Sequence, residues 1–380
     1  MIPIKMKYIK EAKVKISVEN PKIVSKDMEV FYNPVMEFNR SVSIALLNSV
    51  VNKKMQIADP LCSSGVRGIR FLKELPKSKI EMIFFNDNNK KAIENLKDNL
   101  KLNKINYNKS NKNSKKDKSK VSISNNDAVK FIINECGFDY IDIDPYGSPV
   151  KFLDASVARL AREGILAVTS TDTGALCGSF VDACRRKYWA EPLRNELMHE
   201  IGLRILIRRV QLTGSVYDKA LTPILSYSKE HYMRAFFLCE KGKEKVDEIL
   251  KQHQFFDFIF ESKKVKYGPI WAGKLCDANL MKKIIENYSQ IYGKDKGGND
   301  LRKSDLKFLK KLYDESQINQ IGFYDLHSLG KRYKLDIPRK EELIKKLKAK
   351  KIKTSFTHFS ENGIKAECSL DEFVKMMKMG

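Results

Sequence analysis

Short apolar runs alternate with amphipathic segments through the first 240 residues. Runs of this kind, bounded by turn-forming residues, predict buried parallel strands. They lie at residues 55–60, 80–86, 122–125, 138–144 and 164–171. Segments with apolar residues at helical spacing predict helices, and they lie at residues 65–75, 89–102, 128–135 and 193–216.

A hairpin signal follows the last of these segments, at residues 222–228 and 232–240. Repeated βα units that end in an antiparallel hairpin describe a doubly wound α/β sheet with an antiparallel edge. This Rossmann-like fold class is the plan of class I methyltransferases, and dinucleotide-binding domains use a variant of it.

A second pattern begins near residue 243. Helical spacing at 304–314, 323–333 and 339–350 is followed by two short strands, 352–359 and 363–368, around the turn signal Glu361-Asn362-Gly363. Three helices and a hairpin resemble a winged-helix nucleic-acid module. We therefore predict an α/β domain over residues 1–242 and a basic C-terminal α+β domain over residues 243–380.

Charge indicates a polyanionic partner. Lys+Arg number 71 and Asp+Glu 47, which gives a formal net charge of +24. An excess of this size is typical of proteins that bind nucleic acid. Part of it comes from a polar Lys/Asn/Ser stretch at residues 104–120, for which the composition predicts a disordered surface loop inserted into the first domain.

Composition also limits the cellular setting. No apolar run is long enough to span a membrane, and the N-terminal residues lack a signal-peptide core. The seven cysteines are scattered without zinc-binding spacing, so we predict reduced thiols and no metal. The expectation is a soluble, cytoplasmic protein, taken as a monomer.

The segment after the first strand has the composition of a cofactor loop. Small residues from Cys62 to Gly65 let the backbone turn tightly and approach a ligand at the start of a helix. The segment is neither a GxGxxG motif nor a P-loop. Asp59, which ends the strand, is expected to hold this loop by accepting backbone N–H bonds.

Acidic residues also follow the next two strands. Asp87 is placed to accept the ribose hydroxyls of an adenosine. Asp127 is placed to meet the adenine amino group, or alternatively to cap the next helix. Three acids at three successive strand ends frame an adenosine and leave the methionine end of S-adenosylmethionine facing Asp144.

The strand at 138–144 ends in Asp144-Pro145-Tyr146-Gly147. An exocyclic amine must become pyramidal before it attacks a sulfonium methyl group. Hydrogen-bond acceptors at both of its N–H groups favour that change, and the Asp144 carboxylate and the Pro145 carbonyl are suited to this role. Tyr146 is expected to stack on the base and Phe31 to cover its other face. Such a slot requires a flipped base, and Asp142 is expected to give structural support.

These residues, with others along the chain, resemble the tRNA (guanine-26,N2)-dimethyltransferase family. The resemblance extends in order over nearly the whole chain. Its main segments are Val30-Phe31-Tyr32-Asn33-Pro34, Asn39-Arg40, Ser63 to Arg70, Asn86-Asp87, Asn126-Asp127-Ala128, Asp142 to Pro149, Thr171 to Gly178, His199 to Arg204, Gly268-Pro269-Ile270-Trp271 and Thr357-His358-Phe359.

The resemblance implies transfer of one or two methyl groups from S-adenosylmethionine to guanine N2 of tRNA. It also implies cofactor contacts, a catalytic acceptor and two stacking rings. By position, the contacts are Arg40, Arg67, Asp87, Asp127 and Ala128, the acceptor is Asp144, and the rings are Phe31 and Tyr146. Family members often have phenylalanine where Tyr146 stands, and some carry a four-cysteine zinc site for which this chain lacks the cysteines.

Two other hypotheses stay open at this point. The Asp-Pro-Tyr chemistry also serves enzymes that methylate amino groups of ribosomal RNA guanine or of DNA adenine and cytosine. A basic RNA-binding protein on a methyltransferase fold, without catalysis, is the third possibility. Intact Asp87, Asp127 and Asp144 argue against that last hypothesis, and the Phe-Tyr-Asn-Pro segment favours tRNA.

Overall fold

The protein was analysed as a computed structural model that describes residues 6–19, 28–50, 54–107, 119–135, 137–260, 263–293 and 300–378. The chain begins with an antiparallel hairpin of β1 (Lys7–Glu11) and β2 (Val14–Val18). Most of the predicted 104–120 loop, residues 108–118, lies outside the described residues.

A seven-stranded sheet forms the centre of the first part of the chain. Its strands are β3 (Met55–Asp59), β4 (Ile80–Asn86), β5 (Val121–Ser124), β6 (Phe138–Ile143), β7 (Leu160–Ser170), β8 (Lys219–Lys229) and β9 (Tyr232–Lys241). Their spatial order is β5-β4-β3-β6-β7-β9-β8. The first five are parallel, and the β8–β9 hairpin is antiparallel. The predicted α/β fold class is therefore confirmed.

Helices cover both faces of this sheet. They are α1 (Glu37–Ser49), α2 (Val66–Glu74), α3 (Lys90–Leu102), α4 (Ala128–Asn134), α5 (Val150–Arg159), α6 (Thr173–Leu176), α7 (Val181–Tyr188), α8 (Met198–Ser215) and α9 (Lys243–Leu250). The alternation of side chains along each strand divides the core into two layers. Tyr140 and Phe236 pack in the layer with α1, α2 and α3, whereas Ile141 and Phe237 pack in the layer with α5 and α8.

Beyond α9 the chain forms a third hairpin and then the C-terminal elements. These are β10 (His253–Phe260), β11 (Lys263–Trp271), α10 (Ala278–Tyr292), α11 (Asp300–Ser316), β12 (Tyr324–Asp325), α12 (Leu326–Tyr333), α13 (Lys340–Ala349), β13 (Thr354–Phe356), β14 (Gly363–Ala366) and α14 (Leu370–Lys378). The three short strands pair in the order β12-β14-β13. Strand β12 lies between helices α11 and α12, and the β13–β14 hairpin follows α13. This order agrees with the predicted winged-helix pattern.

The C-terminal elements divide between two cores. Leu326, Leu343, Leu347 and Phe373 belong to a separate small core. Helices α10 and α11, in contrast, contribute buried residues such as Ile284 to the same core as α1. The predicted domain boundary at residue 242 stays a prediction. Residues before and after this boundary pack in the same core.

Some predicted elements are shorter in the structure, and others, such as β7, are longer. The helix predicted at 193–216 begins only at Met198, because Glu191 pairs with Gly268 and the Asn195 side chain accepts the Leu197 N–H. The helix predicted at 323–333 begins at Leu326, where the Asp325 carboxylate caps it. The strand predicted at 352–359 is confined to Thr354–Phe356. Among the described residues, no helix has both the length and the apolar content to cross a membrane.

Candidate active site

A cleft of about 510 Å³ opens at the carboxyl edge of the parallel strands. Five of the eight predicted site residues line it, namely Phe31, Arg40, Arg67, Asp144 and Tyr146. The other three, Asp87, Asp127 and Ala128, follow strands β4 and β5 at the same edge of the sheet. The topology of the sheet therefore brings together side chains that are more than a hundred residues apart in sequence, as expected for such folds.

The loop between β3 and α2 is tightly wound. Ser63 and Gly65 both have positive φ angles, of 44° and 74°. A Cβ atom on Gly65 would lie 2.2 Å from the Leu96 side chain, so this position also requires the smallest residue. Asp87 holds the loop, because its Oδ2 accepts the Ser63 N–H at 2.9 Å and its Oδ1 accepts the Asn89 N–H at 2.9 Å.

Asp59 does not have the loop-holding role that the sequence suggested. Its side chain is buried, and its Oδ2 has no hydrogen-bond partner among the described residues. The pKa of this carboxyl is raised to about 7, chiefly by burial, while Arg67 lowers it and nearby Asp142 and Asp144 contribute to the rise. An unpaired buried acid on the wall of a cleft is suited to a cationic ligand.

Asp144 lies immediately after β6 and pairs with Arg67. The Arg67 guanidinium donates to Asp144 Oδ2 and also to Asn39 Oδ1 at 3.0 Å. The Asp144 side chain is 23% exposed, whereas that of Arg67 is only 6% exposed. No described group donates a hydrogen bond to Asp144 Oδ1. One carboxylate oxygen is thus fixed by the arginine, and the other is available to a ligand in the cleft.

Asp142, which is buried, supports the pair of Asp144 and Arg67. Its two carboxylate oxygens accept a bidentate pair of bonds from Arg234, at 2.9 and 2.7 Å, and Tyr140 donates to Oδ2 at 2.6 Å. Burial alone would raise the pKa of Asp142, but Arg234 and Arg67 outweigh it and hold the pKa below its usual value. These bonds match the supporting role expected for Asp142.

Arg40 is engaged by a buried acid. Its guanidinium donates to both carboxylate oxygens of Glu11 and to the Asn33 carbonyl. Tyr32 donates to the same Glu11 carboxylate at 2.8 Å. The arginine therefore fixes the segment that carries Phe31, and its predicted contact with the cofactor stays a prediction.

Phe31 and Tyr146 contact each other at the mouth of the cleft. Their ring centroids are 5.9 Å apart, and the planes meet at 83°, an edge-to-face arrangement. A base cannot lie between two rings in this geometry, so stacking on both faces requires one ring to turn. Tyr146 is 65% exposed, so most of its side chain is not packed against the protein.

Asp127 caps helix α4, which is the alternative role that the sequence offered for it. It is exposed, and its Oδ1 accepts the N–H groups of Val129 and Lys130 at the start of α4. The adjacent Ala128 is buried. Both lie at the end of β5, three strands away from β6 and Asp144. Their contact with a cofactor stays a prediction.

Several residues of the site were not predicted. Thr171 and Asp172 line the cleft from the end of β7, and Glu230, His231 and Tyr232 line it from the β8–β9 turn. The first two follow an apolar strand directly, a signal that the sequence does contain. Arg234 had a signal as well, because an arginine inside the apolar run of β9 needs a buried acid. No group of three or more potential metal-ligating side chains occurs within the described part of the chain.

Comparison with known proteins places this geometry in a family. Residues 11–264 and 257–378 match the family described as N2,N2-dimethylguanosine tRNA methyltransferase. The tRNA (guanine(26)-N(2)/guanine(27)-N(2))-dimethyltransferase of Aquifex aeolicus is 36% identical, over 98% of this chain and 96% of its own length. The tRNA (guanine(26)-N(2))-dimethyltransferase of Pyrococcus abyssi is also 36% identical, over 98% of this chain and 99% of its own.

A solved structure agrees with these relatives. Trm1 from Pyrococcus horikoshii, in complex with S-adenosyl-L-methionine, superposes with a TM-score of 0.84 at 34% identity, covering 98% of this chain and 99% of that one. The resemblance inferred from the motifs is thereby confirmed, and the chain belongs to the N2,N2-dimethylguanosine tRNA methyltransferase family.

Proposed function

We propose that this protein transfers one or two methyl groups from S-adenosylmethionine to the exocyclic N2 amine of guanine 26 in tRNA. The observation that carries the proposal is the Asp144 carboxylate in the cleft, with Oδ2 fixed by Arg67 and Oδ1 open, beside the Phe31 and Tyr146 rings. Relatives over the full length of the chain are named for this reaction, and the Aquifex aeolicus relative is named for guanine 27 as well.

The residues at the carboxyl edge fit the cofactor. When bound, S-adenosylmethionine supplies an electrophilic methyl group on a sulfonium. The buried, unpaired Oδ2 of Asp59 offers a negative partner for positive charge. Asp87 would hold the ribose hydroxyls, Asp127 and Ala128 would border the adenine, and Arg40 and Arg67 would stabilise the carboxylate of the methionine part.

Asp144 is the acceptor for the reacting amine. The amine lone pair is delocalised into guanine, and hydrogen bonds from both N–H groups to acceptors favour the pyramidal nitrogen that attacks. Asp144 Oδ1 and the Pro145 carbonyl supply these acceptors at the wall of the cleft. Arg67 keeps the carboxylate oriented, and Asp144 can also take the proton that the amine releases.

Phe31 and Tyr146 hold the flipped base. A guanine that is paired or stacked in tRNA cannot reach a cleft behind two aromatic side chains, so the target nucleotide must leave the helix. The exposed Tyr146 ring turns from its edge-on contact, and the base then lies between it and Phe31. The C-terminal part of the chain, residues 243–380, contributes further contacts with tRNA.

The test is methylation of a defined tRNA. The purified protein is incubated with an unmodified tRNA transcript and isotope-labelled S-adenosylmethionine, and the nucleosides are identified by mass spectrometry. We expect label in N2-methylguanosine and N2,N2-dimethylguanosine, and a strong reduction when guanine 26 is replaced by adenine. Label in another base would contradict the proposed substrate, and binding of the cofactor without any transfer would contradict the proposed activity.

A further inference from the structure

We infer that the RNA strand carrying the target guanine lies in a lysine-lined groove that leads from the cleft to helix α11. This inference rests on the proposed function and specifies where the substrate is held. We call this surface the α11 groove and define it by Lys229, Lys303, Lys307, Lys310 and Lys311.

Shared wall residues place the cavities of the groove next to the active-site cleft. Glu230, in the β8–β9 turn, lines both the cleft and a neighbouring cavity of about 360 Å³. Lys311 lines that cavity and also a third one of about 470 Å³ along α11. Each cavity thus shares a wall residue with the next, so a strand whose base enters the cleft can continue along α11.

The charge of the groove suits phosphates. None of its five lysines forms an ion pair within the described part of the chain, whereas lysines elsewhere, such as Lys187 and Lys365, do. Burial lowers the pKa of Lys311, and nearby Lys307 lowers it further, while Glu315 and Glu361 oppose this change. Glu230, Glu361 and Asp314 are the carboxylates that line the outer two cavities, so the lysines are in excess.

Lys229 is the groove lysine that lies next to the active-site cleft. It ends β8 directly before the turn that lines the cleft, and its Nζ lies 5.0 Å from the centre of the Phe38 ring and 4.9 Å from that of Phe308. Two aromatic faces hold the ammonium in place. A flipped nucleotide keeps its phosphates outside the base pocket, and a fixed cation beside the pocket suits one of them.

The densest basic stretch of the sequence, Lys345 to Lys353, does not line these cavities. Its lysines lie on α13 and the segment after it. The proposal therefore predicts that the α11 lysines contribute more to binding of the RNA strand near the cleft than their number suggests. These lysines are less densely spaced in the sequence than those from Lys345 to Lys353.

The experiment compares two double variants that lose the same charge. Lys307→Ala/Lys311→Ala removes two groove lysines. Lys241→Ala/Lys243→Ala removes two exposed lysines at the opposite edge of the sheet, where β9 ends. The dissociation constant for tRNA is measured at several KCl concentrations, with binding of S-adenosylmethionine by calorimetry and steady-state methylation in parallel.

For the groove pair we expect tRNA binding to weaken about tenfold and the slope of log K against log salt to fall by about 2, one for each lost phosphate contact. Cofactor binding and kcat at saturating tRNA stay unchanged. Lys229→Ala is expected to raise KM and also lower kcat, because it positions the flipped nucleotide. The control pair retains wild-type values.

Equal salt slopes and affinities in the groove pair and the control pair would overturn the inference. That outcome, with an active wild-type protein, leaves the proposed function intact, whereas a wild-type protein that binds no tRNA contradicts the proposed function itself. Should Lys311→Ala impair folding, Lys303→Ala/Lys307→Ala, at two exposed positions of α11, gives the same comparison.

Discussion

Asp144 and Arg67 show how a single contact fixes the chemistry of the site. The sequence resemblance implied a cofactor contact for Arg67, and the structure pairs its guanidinium with the Asp144 carboxylate. Burial would lower the pKa of Arg67, but the carboxylates of Asp142 and Asp144 outweigh it and raise that pKa. The arginine is therefore permanently charged, and it orients Asp144 before any substrate arrives.

Substitution of Tyr146 tests the base slot. The Tyr146 hydroxyl has no hydrogen-bond partner among the described residues, and the side chain is mostly exposed. Tyr146→Phe should therefore keep kcat/KM within about twofold, since the stacking face is unchanged. Tyr146→Ala should lose stacking of about 1–3 kcal/mol, or roughly five- to 150-fold in kcat/KM. A phenylalanine variant as poor as the alanine variant would contradict a stacking role.

We expect cofactor binding to depend on pH through Asp59. Its carboxyl has a pKa of about 7 because it is buried, so it is largely neutral at pH 6 and ionised at pH 8. A cationic ligand binds the ionised form better, so affinity for S-adenosylmethionine should rise with pH, by up to about tenfold per unit below the pKa. Calorimetry from pH 6 to pH 8 measures this rise.

Asp59→Asn removes the titrating group, and its affinity should change little over the same range. Asp98→Asn, at an exposed position on α3, is the matched control and should keep the wild-type slope. A wild-type protein whose affinity is flat across pH 7, or an Asp59→Asn variant that keeps the slope, would show that Asp59 does not face the cofactor.

Sequence reasoning located the acids of the site but not all of their partners. Asp87, Asp127 and Asp144 follow apolar runs, and the carboxyl ends of parallel strands meet at one edge of a sheet, so their placement could be predicted. That Asp87 rather than Asp59 holds the loop could not be predicted, because it depends on which loop amides face which carboxylate. The edge-on contact of Phe31 with Tyr146 joins residues 115 positions apart, and no local pattern encodes it.

The side chain of Glu11 joins the N-terminal hairpin to helices α1 and α2. It ends β1, is almost fully buried, and accepts hydrogen bonds from Arg40 on α1 and Arg70 on α2. Burial raises the pKa of Glu11, but the two arginines outweigh it and hold the pKa at about 2. The acid is therefore ionised in the folded protein at any pH near neutrality.

Glu11→Ala should lower the free energy of unfolding by about 3–5 kcal/mol, because it leaves two buried arginines without their shared partner. Urea unfolding at pH 7 measures the loss, and Glu94→Ala, at an exposed position of α3, is the control. The native pKa lies below the unfolded value, so the stabilisation is present above about pH 5 and is lost as the pH falls toward 2. A difference between wild type and variant that stays constant from pH 7 to pH 3 would contradict this account.

The elements that could be predicted are those whose apolar residues form a continuous run or recur at a regular spacing. Strands β3, β4 and β6 and helix α3 agree with the sequence to within a residue or two, since each is apolar throughout or on one face. Helix α1 was not predicted, because nearly all of its residues are buried and no polar face marks its period. The β1–β2 hairpin has no Asn-Gly or Asp-Gly turn, and its strands are rich in lysine, so it lacks both usual signals.

Buried charges connect the C-terminal part of the chain to the layers around the α/β sheet. Glu200 on α8 accepts from Lys365 on β14 and pairs with Arg204. These partners, with burial opposing them, hold the pKa of Glu200 at about 2. The sequence showed His199 to Arg204 as a family segment, but its pairing with Lys365 depends on packing between residues 165 positions apart.

The net charge of +24 predicts steep salt dependence of tRNA binding. Phosphate contacts release counterions, so raising KCl from about 50 to 200 mM should weaken binding by two orders of magnitude or more if about six phosphates are contacted. Fluorescence titration of labelled tRNA measures this change. An affinity that is independent of salt would contradict a broad basic surface for RNA, whatever the methylation assay shows.

The role of Asp144 is tested by the single-turnover rate of methyl transfer for Asp144→Asn and wild type, at saturating S-adenosylmethionine and tRNA. The amide keeps the size of the side chain but cannot take a proton, so the rate should fall by about 10²- to 10⁴-fold, while the dissociation constants for both ligands change little. Asp98→Asn is again the control. A rate for Asp144→Asn within a few-fold of wild type would contradict the assignment of this carboxylate as the acceptor for the guanine amine.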